Sequence, residues 1–197
     1  VNYRIYRKKG EDLKVPYVLL PPFHTTVTAQ IEVEIDEDGK FLDASAVANE
    51  DKQTIIPITE KSGSRTAGKA PHPLCDNLQY LAGDYGRYSG EKAKGAEECH
   101  VLYMKELKEW HESPYTHKKV DAVYAYLKKN TLMKDLVETK VLLLDENGNL
   151  DASAKIQNIP QEKAFVRFVV RQKFSEDIAE EKCWLDRTLQ DAFVRYY

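Results

Sequence analysis

No apolar run in this chain is long enough to cross a bilayer. The longest, Val15 to Phe23, is nine residues broken by three prolines, against the roughly 18 to 20 that a membrane helix needs. The opening segment, Val1 to Gly10, carries no apolar signal region and no small-residue cleavage site, so the expected compartment is the cytoplasm, with no membrane partner. Cysteine is scarce. Cys75, Cys99 and Cys183 are odd in number, far apart and in no Cys-x-x-Cys pair, which points to free thiols and not to a disulfide framework. The five histidines do not cluster with one another or with the cysteines, so neither a metal nor a cofactor is expected. Positive charge is not in excess either: 29 Lys and Arg against 32 Asp and Glu give a net charge of −3. That excludes a protein whose whole surface coats nucleic acid, while leaving room for one basic loop.

What is present is the composition of a globular protein, 42% hydrophobic and 31% charged with only 9 Gly and 8 Pro. A length of 197 residues suits a single domain. From Thr25 to Asp36 the segment alternates, with Ile31, Val33 and Ile35 on one face and Glu32 and Glu34 on the other, as a half-buried strand does. Asp38-Gly39 supplies a hairpin turn and Phe41 to Ala48 the returning strand. Gln53 to Ile58 reads as a third strand, with Pro57 marking an edge or an end. Further on, Leu102, Met104, Leu107 and Trp110 share a helical stripe, and Val120, Val123, Tyr124 and Leu127 share another, with Ser113-Pro114 between the two. A short helix is expected over Leu132 to Glu138, strands over Val141 to Leu144 and Ala164 to Val170, a turn at Asn147-Gly148, and a closing helix with Leu185, Leu189, Phe193 and Tyr196 at helical spacing. The fold class that follows is α+β: an antiparallel sheet built from the hairpin and the later strands, covered by amphipathic helices.

Between these elements, residues 59–73 hold no apolar side chain larger than alanine and proline. Loops of about 15 residues without regular structure are uncommon in compact domains and are often functional. Lys61, Arg65, Lys69 and His72 fall here with no acid between Lys61 and Pro73, and Ser62, Ser64 and Thr66 add hydroxyls. Such a loop offers what phosphate and base-edge contacts use; a solvated loop without a ligand has the same composition. Gly63-Ser-Arg-Thr-Ala-Gly68-Lys69 also matches a phosphate-cradling loop up to its last position, and Val141 to Asp145 resembles the strand that ends in a metal-holding aspartate. Against nucleotide binding, Ala70 lacks the hydroxyl that holds magnesium, and Pro71 and Pro73 stand where the helix must run. No nucleophile, base and orienting residue come together in the sequence, so no enzyme is expected. Tyr124 and Tyr196 lie on apolar helical faces; Tyr80, Tyr85 and Tyr88 could pack or could stack on bases.

The run from Ile55 through Lys61-Ser-Gly-Ser-Arg-Thr-Ala-Gly-Lys-Ala-Pro-His-Pro-Leu-Cys-Asp-Asn77 to Leu81 resembles the signature stretch of the large subunit of the type I-C CRISPR Cascade, an RNA-guided surveillance complex. Leu20-Pro-Pro-Phe-His-Thr25, the Asp-Glu-Asp-Gly hairpin, Ile159 to Phe168 and Trp184 to Phe193 carry the same resemblance over nearly the whole chain. Members of that family are longer, so residues 1–197 resemble the N-terminal domain of such a subunit.

The resemblance implies recognition of a protospacer-adjacent motif, commonly 5′-TTC, on double-stranded DNA during antiviral defence, with no catalytic step in this domain. It implies as partners the guide RNA, the other Cascade subunits, a recruited helicase-nuclease and phage anti-CRISPR proteins. In such systems the protein reads a short motif and base pairing reads the rest. Carried onto this sequence, Arg65 and Lys69 are expected at phosphates or base edges, Ser64 and Thr66 in short-range hydrogen bonds, and Lys61 on the backbone, with His72 adding charge. Asn77 is expected either to read a base or to cap the next helix. Three loop cations correspond to a salt slope of about −3, a weak probe that depends on its assembly for affinity. A scaffold that never touches DNA is the competing reading.

Overall fold

The computed structural model describes residues 2–8, 11–17, 20–65, 69–172 and 180–197. Strands β1 (Asn2–Lys8) and β2 (Glu11–Tyr17) pair antiparallel as a ribbon. The segment expected as one long strand is two: β3 (His24–Thr28) and β4 (Ile31–Asp36), broken at Ala29-Gln30. The break sends the strands to different sheets, because Gln30 turns its side chain to accept from the Phe165 N–H at 2.8 Å and its own N–H goes to the Phe165 carbonyl. β4 pairs with β5 (Phe41–Ala46) in the expected hairpin, and β3 with β6 (Gln53–Pro57). Pro57 sits at the end of β6 opposite His24, where its missing N–H costs little.

The hairpin turn is pressed against a helix. Gly39 has φ +72°, and a Cβ there would stand 2.6 Å from the Ala122 carbonyl oxygen, so only glycine meets both demands.

Three short helical turns, α1 (Glu60–Gly63), α2 (Leu78–Leu81) and α3 (Tyr85–Ser89), lead to the long helices. These are α4 (Ala96–His111) and α5 (Lys118–Leu127), followed by α6 (Leu132–Glu138), all three at the positions the apolar spacing requires. Two-residue strands β7 (Lys155–Ile156) and β8 (Ile159–Pro160) precede β9 (Val166–Arg171), and α7 (Arg187–Tyr196) follows. The α+β class stands, but β9 joins β4 in parallel, so the three-stranded sheet β5-β4-β9 is mixed and not purely antiparallel. Val166, Phe168 and Val170 and their neighbours Arg167 and Val169 are all buried, which is what a strand covered on both faces looks like. α5 packs on β4 and β9, and α4 packs on α2 and α5.

Two further sequence expectations fail. Val141 to Leu144 is not a strand apart from one bridge between Leu144 and Leu150. Its backbone is satisfied by a side chain instead: Leu143 donates its N–H to Gln161 Oε1 at 2.9 Å, and Gln161 Nε2 donates back to the Leu143 carbonyl at 2.8 Å. Leu185 lies before α7 and is 48% exposed, because the helix starts only at the Asp186 cap, whose carboxylate accepts from the Thr188 and Leu189 N–H groups.

Among the described residues, no helix is long and apolar enough to cross a membrane.

Candidate functional site

The described residues of the segment 59–77 are more built than its composition suggested. Thr59 Oγ1 accepts the Ser62 N–H while Ser62 Oγ accepts the Thr59 N–H, a reciprocal cap that starts the turn α1. Ser64 closes that turn by donating its hydroxyl to the Glu60 carbonyl at 2.9 Å. From Lys69 onward the chain runs without a helix to Leu78, so the phosphate-cradle reading has no helix N-terminus behind it. Asp145, the other half of that reading, is a turn residue that accepts from the Asn147 and Asn149 N–H groups at 2.9 Å each.

The segment is anchored by one buried carboxylate. Asp76 is fully buried and accepts four hydrogen bonds: from Arg65 Nη1 and Nη2 at 2.8 Å each, from the His72 N–H at 2.7 Å and from the Asn77 N–H at 2.8 Å. Arg65 also donates to the Ala70 carbonyl at 2.9 Å and lies over the Tyr80 ring, 4.7 Å from its centroid. Burial works against the charge on Arg65, but hydrogen bonding to Asp76 overcomes it and the guanidinium is held protonated more firmly than usual. Arg65, expected to reach phosphates or base edges, is therefore turned inward: a fork-to-fork pair with a buried carboxylate uses its donors.

His72 is corrected in the same way. It is half-buried, and burial holds its pKa below the ordinary 6.5 despite Asp76, so it adds little charge to the loop at neutral pH.

The remaining candidates are placed as follows. Lys61 is exposed, and Lys69 is exposed and paired with Glu98. Ser64 is exposed and spent on its turn; Thr66 lies outside the described residues. Asn77 stands at the N-terminus of α2 but makes no side-chain cap bond there. It instead lines an open cleft of about 460 Å³ with Gln79, Tyr85, Glu162 and Lys163. The structure thus groups Asn77 with Gln79 and Lys163, two polar residues that sequence reasoning passed over because no motif connects position 77 with position 163. Tyr80 and Tyr85 are 3% and 4% exposed, which removes them as stacking platforms, and Tyr88 packs against the core.

A second cavity, of about 290 Å³, opens between α1, α4 and α7. Its floor includes Leu74, Trp110 and Phe193, and Glu60, Lys61, Glu106 and Glu109 stand around it. The cysteines are buried thiols: burial pushes the pKa of Cys75 well above its usual value and that of Cys183 up to about 12, so both are unreactive at neutral pH. Among the described residues, no group of three or more His, Cys, Asp or Glu side chains converges as a metal site.

A family model described as CRISPR-associated protein (Cas_Csd1) matches residues 2–197. No curated protein matches the chain.

Proposed function

The chain belongs to the CRISPR-associated protein family Cas_Csd1 and is a Cascade-type subunit, and from that premise we propose that it reads the protospacer-adjacent motif on double-stranded DNA in a type I-C surveillance complex. Cascade components are its partners; the guide RNA, the DNA duplex and a recruited helicase-nuclease complete the proposed assembly, and the domain carries no catalytic step of its own.

The observation that carries this reading is the Arg65–Asp76 anchor. It ties Arg65 to Asp76, which also holds the His72 and Asn77 N–H groups, so the described residues that flank the exposed Lys61 and Lys69 are anchored to the core before any ligand arrives. In this arrangement Lys61 and Lys69 meet phosphates, with Ser64 and Thr66 nearby in the chain. Base edges fall to the cleft of Asn77 and Gln79, whose amides can both donate and accept and so match adenine in the major groove. Arg65 has a positioning role.

With Arg65 neutralised internally, Lys61 and Lys69 remain for phosphates, Lys69 by giving up its exposed pair with Glu98, which lowers the expected salt slope to about −2. The test is duplex binding by the reconstituted complex across a salt series, with and without a 5′-TTC motif. The Lys61→Ala/Lys69→Ala variant should weaken all duplexes and reduce the slope by about 2, whereas Asn77→Ala should reduce the preference for the motif by about 1–3 kcal/mol. Unchanged slope and unchanged preference in both variants would refute the reading.

The pairing of Lys69 with Glu98 favours the one competing account, an interaction scaffold whose loop charges are already matched within the protein. That account predicts that both variants leave target binding at the level of the unmodified complex.

A further inference from the structure

The cavity between α1, α4 and α7 combines three properties that the DNA-reading proposal does not use. Its interior is apolar and aromatic: Trp110 and Phe193 are 5.1 Å apart edge to face, and Tyr196 stacks on Trp110 at 5.8 Å, leaving Tyr196 and the exposed Tyr197 as walls. Three carboxylates, Glu60, Glu106 and Glu109, stand around it against the one ammonium of Lys61. His72, which also lines it, keeps a buried Nδ1 with no hydrogen-bond partner in the described structure.

The volume limits the occupant. At about 290 Å³ the cavity sits at the lower edge of the roughly 300–1,000 Å³ that hold drug-sized ligands, so it suits one side chain better than a nucleotide. The charge selects further. Burial first and then the neighbouring Glu109 raise the pKa of Glu106, and burial followed by both glutamates raises that of Tyr196, so like charge is crowded at the rim of the cavity. A phosphate would meet three carboxylates here. A guanidinium, planar and weakly hydrated, can lie on a tyrosine face, pair with carboxylates at the mouth and donate to a neutral imidazole nitrogen.

We propose that this cavity is a docking site for a single arginine side chain presented by a neighbouring protein subunit. The proposal does not depend on DNA reading: its site shares Lys61 with that reading but lies apart from the Asn77 cleft, and it requires no nucleic acid.

The test uses the full chain in solution with N-acetyl-arginine amide, N-acetyl-lysine amide and adenosine as probes, following the Trp110 indole N–H resonance. Saturable binding of the arginine probe is expected, weaker binding of the lysine probe and none of adenosine, with affinity falling as salt rises. Glu106→Gln/Glu109→Gln should weaken the arginine probe by about tenfold, and Lys61→Ala should strengthen it by about twofold to fivefold, magnitudes in keeping with partly exposed charge pairs. The opposite signs guard against a general loss of structure. Absence of a shift with the arginine probe, adenosine binding at least as tightly, or equal affinities in the two variants and the parent would each overturn the proposal. The readout contains no DNA, so a failed motif test leaves it standing.

Discussion

Arg65, half-buried, and Arg167, fully buried, are both paired with carboxylates, and they do different work. Arg65 pairs with a residue 11 positions away, and its partner Asp76 is fully buried, so the interaction closes a local segment onto the core. Arg167, 1% exposed, reaches Glu32 across 135 residues and Asp51 across 116, donates to Thr54, and lies 3.7 Å from the Trp184 ring centroid. It fastens β9 to β4 and to the turn before β6. The Arg167 partners can also reach water, since the side chains of Glu32 and Asp51 are 17% and 55% exposed. The comparison teaches that the cost of breaking a buried ion pair depends on which member is left in the dark.

The largest effect should come from Arg65→Met, which strands the Asp76 carboxylate with only two backbone donors. A loss of about 3–5 kcal/mol is expected in chemical denaturation, together with faster proteolysis within 59–77. Glu32→Gln should cost less, about 2 kcal/mol, because Arg167 keeps Asp51, Thr54 and the Asp51 carbonyl. If Glu32→Gln proves the more damaging of the two, the comparison is reversed.

Acid sharpens the contrast. His24, His72 and His117 all have pKa values lowered chiefly by burial. A lowered histidine pKa contributes stability that is complete above the ordinary value of 6.5 and is lost as pH falls through the folded value. Thermal melts should therefore be level above about pH 7 and decline below about 6.5. Because His72 adjoins Asp76, hydrogen exchange should show the 59–77 segment loosening before β9, and simultaneous loosening would argue against a separate anchor. The smallest effects belong to the exposed cations: Lys61→Ala and Lys69→Ala should change stability by less than about 0.5 kcal/mol, and a double-mutant cycle of Lys69 with Glu98 should give a coupling below about 1 kcal/mol.

The helices were legible in the sequence because their apolar stripes are continuous: α5 spans Lys118–Leu127 and α6 Leu132–Glu138, where the spacing put them. The hairpin β4–β5 was legible for the same reason in period two. Val141 to Leu144 misled because a run of leucines has the same appearance whether a strand or the Gln161 side chain satisfies its backbone. In the candidate site, the exposed Lys61 and Lys69 fit a local reading of composition. Arg65 and His72 did not, since their fate depends on Asp76, which lies just beyond the acid-free run from Lys61 to Pro73. Charge in a sequence is counted by type; in the folded chain it is counted after pairing.

The parallel register of β4 with β9 has a consequence for the order of events during synthesis. Ile31 pairs with Val166 and Asp36 with Arg171, so the central strand of the sheet stays half-bare while everything between them leaves the ribosome. Closing so long a loop is entropically slow. Until then β4 offers one open, apolar edge, held only by its hairpin partner β5, and that edge is where nascent chains would join one another first. Substitutions that weaken β9 should thus appear as aggregation during expression before they appear as a lower melting temperature of the finished protein.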